Sequence, residues 1–258
     1  MSEIADPDPE QGAPESAQPA GEAPAPEAPA GEVPAGEEPA KAGSIQGLLP
    51  TILTVIAVAA LGFLSYRQLS DWPTPARWLG IGMIALYVGW LLGEGKVMAG
   101  EAGQKKTERD KGTYELYALG RALTLFAALG LENVYGPVNG IVPLIVGLVL
   151  LVLGVGFRWW AIRTLGRFYS HFVRKQEGHQ IVQTGPYRFL RHPAYTGMLI
   201  ANLGFVLCFF NWIALGALLG FFLPAVARRI LVEEQTLFQI EGYPEFAKKR
   251  WRLFPPIW

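Results

Sequence analysis

One cysteine, Cys208, and three histidines are all that 258 residues contain of those two types. A single cysteine excludes an intramolecular disulfide. No Cys/His spacing suggests a metal site, and Cys208 sits in an apolar run. No glycine-rich phosphate loop of the usual kinds is present, so neither a P-loop nor a dinucleotide cradle is expected. Residues 1–43 lack aromatics altogether and hold ten acids, one Lys and a dense mixture of Pro, Ala, Gly and Glu. Such a segment cannot bury enough apolar surface to offset its ordering entropy, which predicts disorder. It has no basic start and no apolar core before residue 47, so it does not read as a signal peptide. Acids are scarce in the remainder, with 12 Asp+Glu against 21 Lys+Arg. The formal neutrality is therefore a cancellation between a tail of about −9 and a body of about +9.

What the body has in abundance is apolar sequence. Six stretches are candidate membrane spans, at roughly 47–66, 76–93, 114–131, 139–160, 194–209 and 212–230. A span needs about 20 apolar residues, with a working range of about 17–25. The first and fourth meet this easily. The second and third are near the limit, and the third contains Arg121. The fifth and sixth are separated only by Phe209–Trp212, as a tight hairpin or a re-entrant pair. Basic residues concentrate in 94–113, 158–193 and the C-terminal part, while the opposite connections are poor in charge. Six spans put all three basic regions on one side, which the positive-inside rule makes cytoplasmic, with both termini inside. The expected fold is an all-α polytopic transmembrane bundle. A tail (1–43) precedes N-terminal transmembrane helices (44–160) and a cofactor-binding region with a C-terminal hairpin (161–258). The Ala/Gly/Pro-rich composition and the lack of a eukaryotic targeting signal point to a bacterial inner membrane.

Polar and ionisable groups cluster at both mouths of that hairpin. Residues 185–197 read GPYRFLRHPAYTG; RRILVEE (228–234) runs on into EGYPEF (241–246). Proline suits the first turn of a helix and pushes the preceding residue out of helical geometry, so the fifth span is predicted to start near His192 or Pro193. A helix N-terminus offers free N–H groups and partial positive charge, a seat for a carboxylate or phosphate. His192, Tyr195 and Gly197 line its first turn, and Gly185 and Gly197 allow close backbone approach. Arg229 and Glu233 are four apart and share a helix face. Glu234 points about 100° away, so the two acids need not share a role. Ionisable groups near the membrane are costly unless paired, hydrated or functional. Arg121 is expected to pair with a neighbour such as Glu115 or to line a cavity. His171 and His179 read as surface or structural residues. The basic loops suit lipid headgroups; nothing marks a nucleic-acid module.

From about Arg163 to Pro255 the chain resembles the isoprenylcysteine carboxyl methyltransferase and phospholipid methyltransferase superfamily of integral membrane enzymes. The matching pieces are TLGRFYS (164–170), VQTGPYRFLRHPAYTG (182–197), RILVEE (229–234) and GYPEF followed by Arg252 and Pro255. The resemblance implies S-adenosylmethionine as methyl donor, bound at the cytoplasmic face. It implies cofactor contacts from Gly185, Tyr187, His192, Pro193, Tyr195 and Gly197. Glu233 or Glu234 would hold the donor's amino or ribose groups. Arg229 would orient the acceptor, with Arg229 and Glu233 the catalytic pair. Phe246 stands where the family often has Tyr, which leaves the acceptor open. A carboxylate acceptor needs no base, whereas an amine would need a Glu or His to take its proton. Membrane sterol reductases have a similar C-terminal layout and use NADPH, whose 2′-phosphate Arg188, Arg191, Lys248 and Lys249 could meet. A non-catalytic membrane protein retaining the fold is the third reading. In a bacterium, a prenylated protein is not the expected natural acceptor; a lipidic or prenyl-like small molecule entering from the bilayer is.

Overall fold

The computed structural model describes residues 45–100, 112–132, 141–169 and 181–258. The expected disorder of the first 43 residues, and His171 and His179, lie outside them. Every regular element among the described residues is helical. Strand-like pairing is confined to one parallel bridge between Leu190 and Trp251. The helices are α1 (Ile45–Ser70), α2 (Thr74–Gly100), α3 (Thr113–Gly130), α4 (Val142–Leu165), α5 (Pro193–Cys208), α6 (Trp212–Ala217), α7 (Leu223–Leu237) and α8 (Tyr243–Lys248). A π-helical turn, Leu218–Phe222, joins α6 to α7 without a break.

Each of the six predicted apolar stretches falls on a helix. Among the described residues, three helices are long and apolar enough to cross a membrane: Thr74–Glu94, Val142–Leu165 and Trp212–Leu237. These are the second, fourth and sixth of the predicted spans. With 16 residues, α5 is shorter, about 24 Å at 1.5 Å per residue, against a hydrocarbon layer of about 30 Å. Its brevity is compensated by its company. Gly147 and Gly154 of α4 face Gly204 and Gly197 of α5. A Cβ on Gly154 would stand 2.6 Å from the Gly197 carbonyl oxygen, and one on Gly147 would stand 2.6 Å from that of Gly204. Small residues let two backbones meet, the usual way helices associate where water supplies no driving force.

The turns between helices are built from side chains that catch loose backbone groups. Arg77 donates from Nε to the Trp72 carbonyl at 3.1 Å and from its terminal nitrogen to that of Ser70 at 2.6 Å, closing the α1–α2 corner. Asn211 caps α6, its side-chain oxygen accepting from the Ala214 N–H at 2.8 Å, as an N-cap should. The α5–α6 connection is thus a tight turn, but the two helices go to different neighbours. α5 packs along α4, while α6, the π turn and α7 pack along α3. Gly120 of α3 makes this possible: a Cβ there would meet the Phe222 Cα at 3.0 Å. The shared core holds Leu151, Met198, Phe205, Phe209 and Phe222, all essentially inaccessible.

Candidate active site

At one end of the bundle, the C-terminal ends of α4 and α7 meet the N-terminal ends of α3 and α5. Between them lies an open cavity lined by polar, aromatic and aliphatic side chains. α3 contributes Tyr114 and Tyr117. α4 and the turn after it contribute Arg158, Leu165, Phe168 and Tyr169. Ile181, Val182, Tyr187, Arg191, His192 and Tyr195 come from the segment leading into α5. Arg229, Glu233, Thr236 and Leu237 of α7 and Tyr243 and Phe246 of α8 complete the wall.

The approach to α5 is shaped by two devices. A 3₁₀ turn, Gly185–Arg188, starts with Gly185 at φ +55°, and a Cβ there would sit 3.0 Å from the Thr164 Oγ1. Left-handed backbone and crowding together call for glycine. The chain then pairs with the C-terminal segment: the Arg191 N–H donates to the Trp251 carbonyl at 2.8 Å, and the His192 N–H to that of Arg252 at 3.1 Å. Pro193 opens α5 with His192 as its N-cap residue, as the sequence predicts. The first-turn N–H groups of Tyr195 and Thr196 turn back to the His192 carbonyl. The Thr196 hydroxyl is spent on the Leu253 carbonyl at 3.0 Å.

Two adjacent acids on α7 have separate tasks. Glu234 is buried and collects three cationic or polar donors: Arg191 at 3.0 Å, Arg252 at 2.9 Å and the His192 Nε2 at 3.3 Å. It ties α7, the N-terminus of α5 and the C-terminal segment together. Glu233 is half-buried in the cavity wall. It accepts from the Tyr195 hydroxyl at 3.0 Å, and that hydroxyl in turn accepts from the Arg229 Nε at 3.0 Å. The Arg229 guanidinium also donates to Thr113 Oγ1 at 3.3 Å and lies 5.7 Å from the Tyr114 ring centroid.

Of the residues singled out in the sequence, the fold brings Tyr187, His192, Tyr195, Arg229 and Glu233 to the cavity wall. Gly185, Pro193, Gly197 and Glu234 stand behind it. Gly197 is in the α4–α5 seam, where a Cβ would meet the Arg158 N at 2.6 Å. Arg121 pairs with Glu94 of α2 at 2.8 Å rather than with Glu115, and it is not in the wall. The Glu115 carboxylate instead accepts from the Gly112 N–H at the start of its own helix. Of the four cations considered for a 2′-phosphate, only Arg191 reaches the cavity, and it is engaged by Glu234 and the Arg250 carbonyl. Sequence reasoning missed Arg158, Tyr114, Tyr117, Phe168, Tyr169, Thr236 and Tyr243 as wall residues. Arg158 had one available signal: a charge inside the fourth apolar run, where an ionisable group is functional by default.

The phenols lining the cavity are held neutral. Burial pushes Tyr169 up to about 12, partly opposed by Arg158. Burial raises Tyr187 further, helped by the Glu233 charge, and raises Tyr243, helped by Glu234 and Glu233. These groups are hydrogen-bond donors, not bases, at any physiological pH. Two hydroxyls in the wall, Thr236 Oγ1 and Tyr243 Oη, are fully enclosed and without a partner among the described residues. Buried hydroxyls are ordinarily bonded. No group of three His, Cys, Asp or Glu among the described residues is placed to hold a metal.

Residues 146–239 match the model of the isoprenylcysteine carboxyl methyltransferase family. Protein-S-isoprenylcysteine O-methyltransferase B of Arabidopsis thaliana is 36% identical over 107 residues, 40% of this chain and 54% of the relative. The Saccharomyces cerevisiae protein-S-isoprenylcysteine O-methyltransferase is 33% identical over 109 residues, 41% of this chain and 46% of its own. The chain spans about half the length of the curated relatives it matches. A solved structure of the eukaryotic intramembrane Ras methyltransferase ICMT overlaps 83% of this chain and 88% of its own at 19% identity, with a TM-score of 0.43. The bacterial placement expected from composition draws no support from these eukaryotic relatives. The region similar to the isoprenylcysteine carboxyl methyltransferase family holds most of α4, all of α5 and α7, and most of the cavity wall.

Proposed function

We propose that the protein is an integral membrane methyltransferase that uses S-adenosylmethionine to methylate the carboxylate of a prenyl-like, membrane-dissolved acceptor at the cytoplasmic face. The observation that carries this is the meeting of Tyr187, His192, Tyr195, Arg229 and Glu233, drawn from two distant sequence blocks, in one open cavity. The names of the matched relatives support the acceptor class.

The residues present fit the donor. The Thr236 and Tyr243 hydroxyls, in residues of the wall, keep hydrogen-bonding capacity that the described residues do not use. The Glu233 carboxylate suits an ammonium or ribose hydroxyls. The rings of Phe168, Tyr169, Tyr187 and Phe246 suit a cationic or planar ligand by cation–π contact and stacking. When bound, S-adenosylmethionine supplies an electrophilic methyl group on a sulfonium. The protein's own contribution is alignment and exclusion of water. Arg229 and Arg158 present guanidinium groups at the wall, where they orient and neutralise an anionic acceptor; such an acceptor is already ionised, so no base is needed. Tyr195 couples the two sides of the cavity, since its hydroxyl touches both Arg229 and Glu233.

The test is incubation of membranes containing the protein with methyl-labelled S-adenosylmethionine and a synthetic S-farnesyl cysteine derivative with a free carboxylate. Base-labile label in the extracted prenyl compound is the expected result. Label that appears only in water-soluble products, or none above empty membranes, defeats the proposal.

A further inference from the structure

Helices α2 and α3 lie before the family-matching region, yet their polar side chains lead to the cavity. Glu94, 6% exposed, stands near the end of the apolar part of α2. One carboxylate oxygen accepts from Arg121 of α3 at 2.8 Å. The other accepts from the Arg158 Nε and from the Trp90 indole N–H at 3.0 Å. Arg121 also donates to the Tyr87 hydroxyl at 2.9 Å, which donates to Asn202 of α5 at 2.7 Å. Its guanidinium carbon lies 4.1 Å from the Trp90 ring centroid. Arg158, 3% exposed, is held at three points: Glu94 takes Nε, the Ala194 carbonyl takes one terminal nitrogen at 3.0 Å, and the Tyr169 hydroxyl takes the other at 3.2 Å. Ala194, Tyr169 and Arg158 are all in the cavity wall. Of these three partners, only Glu94 carries a charge, and it fixes the rotation of the guanidinium at its inner edge.

We infer that Glu94 is a positioning residue for the acceptor: through Arg158 it sets the orientation of the guanidinium that the cavity presents, and Arg121 holds Glu94 in turn. This rests on the methyl-transfer reading of the cavity. A bland alternative is that Glu94 only neutralises two buried cations. The two differ in a way that can be read. Removing the carboxylate leaves Arg121 and Arg158 buried together and unpaired, which costs stability under either view. Removing Arg121 as well relieves part of that cost but leaves Arg158 buried, without a charged partner and untethered at Nε.

The experiment compares wild type, Glu94→Gln and Glu94→Gln/Arg121→Gln for thermal stability, S-adenosylmethionine affinity by calorimetry, and kcat and KM for the S-farnesyl cysteine derivative. Positioning predicts that the double variant regains part of the melting temperature lost in the single one. Its S-adenosylmethionine affinity stays within about twofold of wild type, and its kcat/KM for the acceptor is down about 10–100-fold. A double variant with wild-type kcat/KM overturns the inference alone. A wild type that neither binds the donor nor turns over overturns the methyl-transfer reading and takes this inference with it. Should the double variant not fold, Glu94→Asp carries the test, since it keeps the charge and withdraws the carboxylate from Arg158. A fall of about tenfold in acceptor kcat/KM at unchanged donor affinity supports positioning, and unchanged kinetics overturn it.

Discussion

The motif-bearing part of the site and its motif-free part are built on different logic. In the first, α5 and α7 present several polar residues within a turn or two of each other: His192 with Tyr195, Arg229 with Glu233 and Glu234. In the second, α2, α3 and α4 contribute single ionisable residues set far apart in apolar sequence: Glu94, Arg121 and Arg158. Yet all three members of the second set are buried, and they meet only because three helices converge. A local cluster is recognisable as a pattern. A buried triad assembled from residues 27 and 64 positions apart is not. The lesson is that motif density measures how locally a site is encoded, not how much of the site a region supplies.

The seam that joins the two parts is the first place to break them. Gly154→Val forces a branched side chain into the Gly197 carbonyl, and a loss of about 3 kcal/mol or more is expected, read as a lower melting temperature and aggregation in detergent. Next comes the contrast between the adjacent acids. Glu234→Gln removes the charge that gathers Arg191, His192 and Arg252, and should cost about 2 kcal/mol of stability because two partly buried guanidinium groups lose their shared carboxylate. Glu233→Gln, one residue earlier, should leave the melting temperature within error. It should weaken S-adenosylmethionine binding about 10–100-fold by calorimetry, the worth of a hydrogen bond to a charged group. Equal behaviour of the two variants would erase the division of labour. The smallest effect is expected at Tyr243→Phe. It removes an enclosed hydroxyl with no hydrogen-bond partner among the described residues, so stability should not fall. Donor affinity should drop about fivefold, the loss of roughly 1 kcal/mol.

Much of this was legible because the physics involved is local. Pro193 announced the start of α5 through its fixed φ and missing N–H, and the helix begins there. The i, i+4 spacing put Arg229 and Glu233 on one face, and a hydroxyl from α5 now bridges them. The 100° offset of Glu234 turned out to separate an anchor from a wall residue. What was illegible needed tertiary information. Gly197 reads equally well as a ligand contact or a packing contact until α4 is placed against it. Arg121 has Glu115 on its own helix and Glu94 on another, and periodicity alone cannot prefer the second. Arg158 looked like one more charge at the end of a span, and only its three partners show that it turns inward.

The π turn at Leu218–Phe222 has a consequence for how the site could change. A π turn accommodates one residue more than the α-helical course, and one residue is about 100° of rotation. Straightening Leu218–Phe222 into a regular α-helical course, with every residue kept, would leave a rod of nearly the same length and the same hydropathy. It would swing Arg229 and Glu233 together off the cavity and onto another flank. The site is therefore keyed by phase as well as by composition. A chain could keep every motif residue, still cross the bilayer, and be silent because its last long helix is turned like a key cut correctly but inserted at the wrong angle.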